Sequence, residues 1–142
     1  MKKIITTLFF TACLISVLNT RAANTKDTLT YLQSIVANKA NYIGQPFSVL
    51  LNNLQIQIKH FSPIAITQED KNKETATFFS FYFPQSAEEI YLTYPCLRIS
   101  WQTSLNAATS RSLYKTNNGG GWTQAVVDFY KNAIIKDIDI FE

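Results

Sequence analysis

Nucleophilic chemistry in this 142-residue chain would depend on very few residues, because the chain has one histidine and two cysteines. Cys13 lies in an apolar N-terminal segment, so His60 and Cys96 are the pair left for a thiol–imidazole dyad. Such a dyad needs a thiolate held beside a base, and the sequence shows no third group that would orient the imidazole. A small hydrolase that uses His60 with Cys96 or with a serine is therefore an alternative, and an enzyme is the less favoured interpretation.

Other site chemistries have little support in the sequence. No Gly-x-Ser-x-Gly elbow occurs, and one histidine with one cysteine does not supply the ligands of a zinc site. Asp137 and Asp139 share one face of a predicted strand, and a solvent-facing side explains them better than acid–base work or calcium binding. The glycines at 119–121 do not have the spacing of a phosphate-binding fingerprint. We therefore expect no cofactor and no metal.

The N-terminus has the pattern of an export signal. Lys2 and Lys3 form a positive region, residues 4–18 carry no charge and are apolar or small, and Ala22-Ala23 supplies small residues for a peptidase. The apolar run is shorter than the roughly 20 residues that a spanning helix needs. We expect a signal peptide at 1–22, a single domain at 23–142, and a periplasmic or extracellular mature protein. A retained membrane anchor and a lipoprotein acylated at Cys13 are the alternatives.

The net charge points away from polyanionic partners. The formal charge is +3, but Lys2, Lys3 and Arg21 all lie in the presumed signal, which leaves ten basic and ten acidic residues. A neutral chain without a cluster of Lys and Arg has no field that would steer it to nucleic acid or anionic lipid. We expect an unknown protein or small ligand as the partner, no nucleic acid, and no transmembrane segment in the mature chain; the oligomeric state stays open.

The mature domain is predicted to begin with two helices. Apolar residues recur at helical spacing over roughly 27–43 and 46–54. Gly44 suits the left-handed residue that ends the first helix, and Pro46 suits the first position of the second helix.

The apolar spacing then becomes two, which is typical of strands. Strands are predicted at 55–61, 74–83, 89–103 and 134–141, and a helix capped by Thr123 is predicted before the last of them. The sequence therefore predicts an α+β fold with two N-terminal helices, a mainly antiparallel sheet of about four strands, and one C-terminal helix before a closing strand. The residues expected in the core are Leu32, Val36, Leu50, Leu54, Ile56, Ile58, Phe79, Phe81, Ile99, Val126, Phe129 and Ile138.

A binding surface is predicted in Ser104–Trp122, a stretch rich in Ser, Thr, Asn and Gly that has no clear period. Long irregular segments inside compact domains are often functional. Arg111, Tyr114 and Lys115 within the stretch have most to offer a partner, because Arg and Tyr dominate interface energetics. Trp122 at its exit and Arg98 on the polar face of the adjoining strand are placed to border the same patch. The alternatives are a solvated loop with Trp122 packed into the core, and a short helix around 105–113, which would leave no irregular stretch.

The leading hypothesis is an exported, non-enzymatic interaction or ligand-binding domain, because no convincing catalytic set accompanies the neutral, aromatic-rich composition. An inhibitor or immunity-type protein that blocks a partner enzyme is a second hypothesis, and the small hydrolase is the third. The sequence identifies neither the ligand nor the partner.

Overall fold

The computed structural model of the protein describes residues 28–64, 71–83 and 94–141. The chain divides into two compact units, Met1–Tyr31 and Leu32–Glu142. Of the first unit only residues 28–31 are described, and they are helical. The expected signal peptide at 1–22, together with Cys13, lies outside the described residues.

The prediction of two N-terminal helices differs slightly from the structure. Helix α1 covers 28–37 and is followed by a short 3-10 turn at Lys39–Asn41. It ends at Asn38, whose backbone N–H and side-chain amide both donate to the Ser34 carbonyl, at 3.2 Å and 2.8 Å. Helix α2 covers Phe47–Asn53, with Pro46 at its N-cap position. No helix in the described ranges is long and apolar enough to cross a membrane.

A four-stranded antiparallel sheet is formed by the described residues, and its strands are neighbours in chain order. This confirms the α+β class and the antiparallel sheet. The strands are β1 His60–Ile64, β2 Lys73–Ser80, β3 Cys96–Asn106 and β4 Ile135–Phe141.

Strand β1 begins five residues later than the strand predicted at 55–61, and it includes Ser62 and Pro63, which lie beyond the predicted end. Residues 54–58 are extended or bent and belong to no strand of the described sheet, whereas the Lys59 N–H already donates to the Ser80 carbonyl of β2 at 2.9 Å. Pro63 is tolerated because β1 is an edge strand, where the missing N–H of a proline breaks no ladder bond.

The stretch expected to be irregular is largely regular. Strand β3 continues to Asn106, and helix α3 covers Ala107–Thr116. The Asn106 side chain caps this helix by accepting the Thr109 N–H at 3.0 Å. The residues that α3 buries are small, Ala107 and Ser110, so the helix leaves no apolar stripe in the sequence. The prediction of a long loop is therefore wrong.

Helix α4 covers Gln124–Tyr130 and precedes the closing strand, as predicted. The prediction did not include α3, which comes before it in the chain. Thr123 is at the N-cap position but makes no cap hydrogen bond; its hydroxyl instead donates to Asn117 Oδ1 at 2.9 Å.

The core lies on one face of the sheet. Phe61, Phe79, Leu97 and Ile140 form a row across the four strands on that face. Rings from α2 and α4 pack on the row: Phe47 stacks on Phe79 at 4.7 Å between centroids, and Tyr130 contacts both Phe61 and Phe79.

Most of the expected core residues are buried, namely Leu32, Leu50, Ile58, Phe79, Ile99, Val126 and Ile138. Five are only half-buried: Val36, Leu54, Ile56, Phe81 and Phe129. Phe81 was expected to be a strand residue, but β2 ends at Ser80, so the alternation that would have turned its ring inward has already stopped.

Candidate functional site

An open cleft of about 540 Å³ lies between α2, the segment that follows it, and α4. Its apolar wall is formed by Leu51, Leu54, Ile56, Ile58, Trp122 and Val127. The cleft exists because residues 54–58 do not join the sheet: they run from the end of α2 to β1 and present their isoleucines to this space. The half-burial of Leu54 and Ile56, which the sequence placed in the core, has the same origin.

Trp122 is the aromatic part of this wall, and the core holds it in place. Its ring packs edge-on against Phe79 at 5.5 Å and lies nearly parallel to Tyr130 at 6.5 Å between centroids. Its backbone N–H donates to the Lys59 carbonyl at 3.2 Å, which ties the residue to the chain just before β1. Trp122 is half-buried, so the indole has both core contacts and a surface in the cleft.

The turn before Trp122 requires glycine. Gly120 has φ +106°, and its carbonyl accepts the Phe61 N–H at 2.9 Å, which satisfies part of the edge of β1. A Cβ at this position would overlap the Phe61 carbonyl oxygen and would lie 2.6 Å from His60 Nε2 and 2.8 Å from Tyr114 Cε2. The turn therefore sets the approach of Trp122 to the cleft, and no larger residue fits it without rearrangement.

The polar rim of the cleft is close to neutral. Ser48, Asn52, Gln55 and Gln57 contribute uncharged groups. Lys131 is the one cation of the lining, and its ammonium donates to Asp128 Oδ1 at 2.7 Å. That hydrogen bond lowers the pKa of Asp128. The cleft therefore has an apolar wall, hydrogen-bonding groups at its margin and little net charge.

Of the predicted binding residues, Trp122 lines the cleft and the three on α3 do not. Arg111 is exposed and donates to the Lys71 carbonyl at 2.6 Å. Tyr114 is half-buried, with its ring edge-on to both His60 and Phe61 at 6.0 Å. Lys115 is exposed.

Arg98 lies on the opposite face of the sheet. On β3 it stands between Leu97 and Ile99, whose side chains point toward the helices, so its own side chain points the other way. Its partners on the neighbouring strands are Phe78 and Asp139. The five residues expected to border one patch therefore do not share a surface, because alternation along β3 separates Arg98 from α3 and from Trp122. Whether any of them binds a partner stays a prediction.

His60 and Cys96 do not form a dyad in the structure. They occupy one row of the sheet but lie two strands apart, with Ser80 of β2 between them. Burial raises the pKa of the Cys96 thiol to about 11, so almost no thiolate is present at neutral pH. His60 Nε2 lies 2.9 Å from the Gly119 carbonyl, to which it donates as the N–H tautomer, and burial lowers the pKa of the imidazole. The described residues contain no group of three His, Cys, Asp or Glu side chains that could hold a metal ion.

Asp137 and Asp139 are engaged by Lys39. The ammonium lies 2.7 Å from Asp137 Oδ1 and 3.8 Å from Asp139 Oδ1, and the hydrogen bond to Asp137 lowers the pKa of that carboxyl. Lys39 also donates to the Ile138 carbonyl at 3.3 Å. The pair of carboxylates thus belongs to a partly exposed ion-pair cluster on the edge strand β4, and charges of this kind discourage pairing with another chain.

Part of the cleft wall has a signal in the sequence. Ile56 and Ile58 alternate within the strand predicted at 55–61, which predicts burial in the core and not exposure to a cleft. Comparison of the chain with protein-family models, with curated proteins and with solved structures found no match.

Proposed function

We propose that the protein is an exported, non-enzymatic ligand-binding domain, and that the cleft beside Trp122 takes a small, neutral, amphipathic molecule. The observation that carries the proposal is the cleft itself. Its volume of about 540 Å³ falls within the roughly 300–1,000 Å³ of typical small-molecule sites. Such sites are mostly apolar and have a few polar groups that orient the ligand, as this one is.

The neutral character of the ligand is inferred from charge complementarity. Asp128 already pairs with Lys131, the single charged residue of the lining, so an anionic ligand would have to displace that carboxylate. The remaining polar groups are a hydroxyl and side-chain amides, which serve both as donors and as acceptors. Trp122 and the aliphatic wall provide area for an apolar or ring-shaped body.

The hydrolase hypothesis has less support. A nucleophile with a pKa near 11 needs a base within hydrogen-bond reach, and the imidazole that would have to serve lies two strands away. Nε2 of that imidazole is already hydrogen-bonded to the Gly119 carbonyl. The export component of the proposal rests on the pattern of residues 1–22 alone.

Binding is tested with N-phenyl-1-naphthylamine, a neutral apolar dye that becomes fluorescent when it leaves water. Saturable binding at one dye per chain is expected. Asn52→Phe places a ring at the cleft from an exposed position of α2, and it should weaken binding at least about tenfold, which corresponds to about 1.4 kcal/mol.

Asn53→Phe is the matched control. Asn53 is the next residue of the same helix, is also exposed and does not line the cleft. It loses one exposed hydrogen bond, from its amide to the Val49 carbonyl, so thermal melting should confirm that both variants fold. Absence of saturable binding, or equal affinity in the two variants, contradicts the proposal.

A further inference from the structure

Glu74 is an acidic residue with no exposed surface, buried among neutral side chains. Its Oε1 accepts hydrogen bonds from the Thr77 hydroxyl and, at 2.8 Å, from the Tyr130 phenol. Trp101 Nε1 donates to the same Thr77 oxygen at 2.9 Å and so fixes the direction of that hydroxyl. The other carboxyl oxygen, Oε2, is buried and has no hydrogen-bond partner.

No cation compensates the carboxyl among the described residues. Tyr130, from α4, is the titratable group that touches it, while β2, β3 and α3 contribute the neutral Thr77, Trp101 and Ser110. Lys73, its neighbour in the chain, is exposed, and Arg111, which follows Ser110 on α3, is exposed and donates to the Lys71 carbonyl. A buried, unpaired carboxylate costs several kcal/mol, and a carboxyl group in this position avoids that cost by keeping its proton.

We propose that folded Glu74 is a neutral carboxylic acid, and that its ionisation is a pH-controlled release of α4 and of the cleft wall that α4 carries. In this step the carboxyl O–H bond breaks and the proton passes to water or hydroxide. The negative charge left on a buried carboxylate is relieved when water reaches it, which requires α4 to separate from the β2–β3 pair.

The link to the cleft is short. Tyr130 lies on α4 between the cleft residues Val127 and Lys131, and its ring is nearly parallel to Trp122. Glu74 lies at the irregularity of the β2–β3 pairing, between Glu74 and Ala76, where the ladder is already interrupted. A bulge interrupts the ladder next to the buried carboxyl, so we expect the sheet to open more easily there once the carboxyl ionises. The consequence for the cleft rests on the function proposed above, whereas the state of Glu74 does not.

The sign of the pH effect follows from proton linkage. Burial raises the pKa of folded Glu74 above its ordinary value of 4.5, at which the unfolded chain releases the proton. Between these two values the folded state holds one more proton, so the unfolding equilibrium constant rises by up to tenfold per pH unit. Below the unfolded value both states are protonated and this contribution does not change with pH.

The first test compares wild type with Glu74→Gln, which is isosteric and cannot ionise, by urea unfolding across about pH 4 to 9. The ratio of the wild-type unfolding constant to that of the variant should rise with pH above about 4.5. Asp128→Asn is the control, because Asp128 is exposed and its pKa is lowered, so its small contribution has the opposite sign. A ratio that does not change with pH for Glu74→Gln overturns the proposal.

A direct measurement keeps the proposal testable if Glu74→Gln does not fold. Wild-type protein labelled with ¹³C in its glutamate carboxyls should show one carboxyl that titrates above the ordinary range. Tyr130→Phe should move that titration further upward, because the phenol hydrogen bond favours the ionised form. Titration of every glutamate at or below the ordinary value overturns the proposal.

The coupling to the cleft has its own readout. N-phenyl-1-naphthylamine should bind wild type more weakly as pH rises through the Glu74 titration, and the affinity of Glu74→Gln should not change over that range. If the affinity of wild type for the dye does not change with pH, the proposed release of the cleft wall is refuted. If the dye binds at no pH, the proposed function fails, while the carboxyl titration still decides the state of Glu74.

Discussion

Gly120→Ala is the substitution for which the structure makes the most specific prediction of stability. Gly120 has φ +106°, a conformation that costs a residue with a side chain about 1–3 kcal/mol. The added Cβ would also overlap the Phe61 carbonyl oxygen and would lie 2.6 Å from His60 Nε2 and 2.8 Å from a ring carbon of Tyr114. Because one of these atoms belongs to the backbone of β1, rotation of a side chain alone does not remove the overlap.

The two contributions can be separated with a second glycine. Gly44 has φ +79°, and a Cβ there would meet no atom within 4 Å, so Gly44→Ala reports backbone strain alone, about 1–2 kcal/mol. Gly120→Ala should add the cost of overpacking, about 1–3 kcal/mol, and about 1 kcal/mol for weakening the hydrogen bond from the Phe61 N–H. The expected loss is therefore about 3–7 kcal/mol, of which about 2–4 kcal/mol has no counterpart in Gly44→Ala.

Urea unfolding of the two variants beside wild type measures this difference, provided that the slopes of the transitions agree. Gly120→Ala should also weaken dye binding, because the turn positions Trp122, and Gly44→Ala should leave it unchanged. Equal losses of stability in the two variants would refute the close packing of the turn against β1.

Three further predictions concern the thiol, the imidazole and the N-terminus. The pKa of the Cys96 thiol is about 11 instead of 9.0, so at pH 8 the thiol should react with a disulfide reagent about a hundredfold more slowly in folded protein than in urea. Equal rates would contradict its burial. The same shift predicts that the folded state loses stability as pH rises from 9.0 through about 11. The His60 imidazole should titrate below its ordinary pKa of 6.5 when it is followed by proton NMR, and a midpoint at or above 6.5 would contradict the lowered pKa. Because burial lowers this pKa, the folded state should lose stability as pH falls from 6.5 through the folded value. The protein from its native host should have a mass that begins near Ala23, and a full-length mass or one beginning at an acylated Cys13 would support the alternatives.

The elements that the sequence predicted well are those whose pattern and packing agree. In β4, Ile138 and Ile140 alternate with Asp137 and Asp139, and the isoleucines do lie on the face that carries the core. Gly44 was expected to be left-handed and has a positive φ. In both cases a local rule and the tertiary environment favour the same conformation, so no other information was needed.

The elements that the sequence missed depend on contacts between distant residues. Helix α3 buries Ala107 and Ser110, and small residues give no hydrophobic period from which a helix could be recognised. Residues 54–58 alternate as a strand would, but they precede His60, which pairs with Ser80 at the end of β2, and they line the cleft instead of extending the ladder. Only the path of the chain in three dimensions shows this.

Glu74 shows the same limit for a functional group. An acidic residue at the start of a predicted strand is normally solvated, and nothing local to it indicates burial. Tyr130, which donates to Glu74, is 56 positions away, and Trp101, which donates to Thr77, lies on β3, so the cluster exists only once α4 has packed on the sheet.

The central claim, that the cleft beside Trp122 is the binding site, is tested most directly by proton–nitrogen NMR during a titration with N-phenyl-1-naphthylamine. The two tryptophan indoles serve as internal reporters, because Trp122 lines the cleft whereas Trp101 is buried and its indole N–H donates a hydrogen bond to Thr77. Saturable shifts are expected for the Trp122 indole N–H and for the amides of residues 51–58, while the Trp101 indole and the amides of Arg111 and Lys115 should change little. Shifts that map to α3 rather than to the cleft, or no saturable shift at all, would contradict the claim.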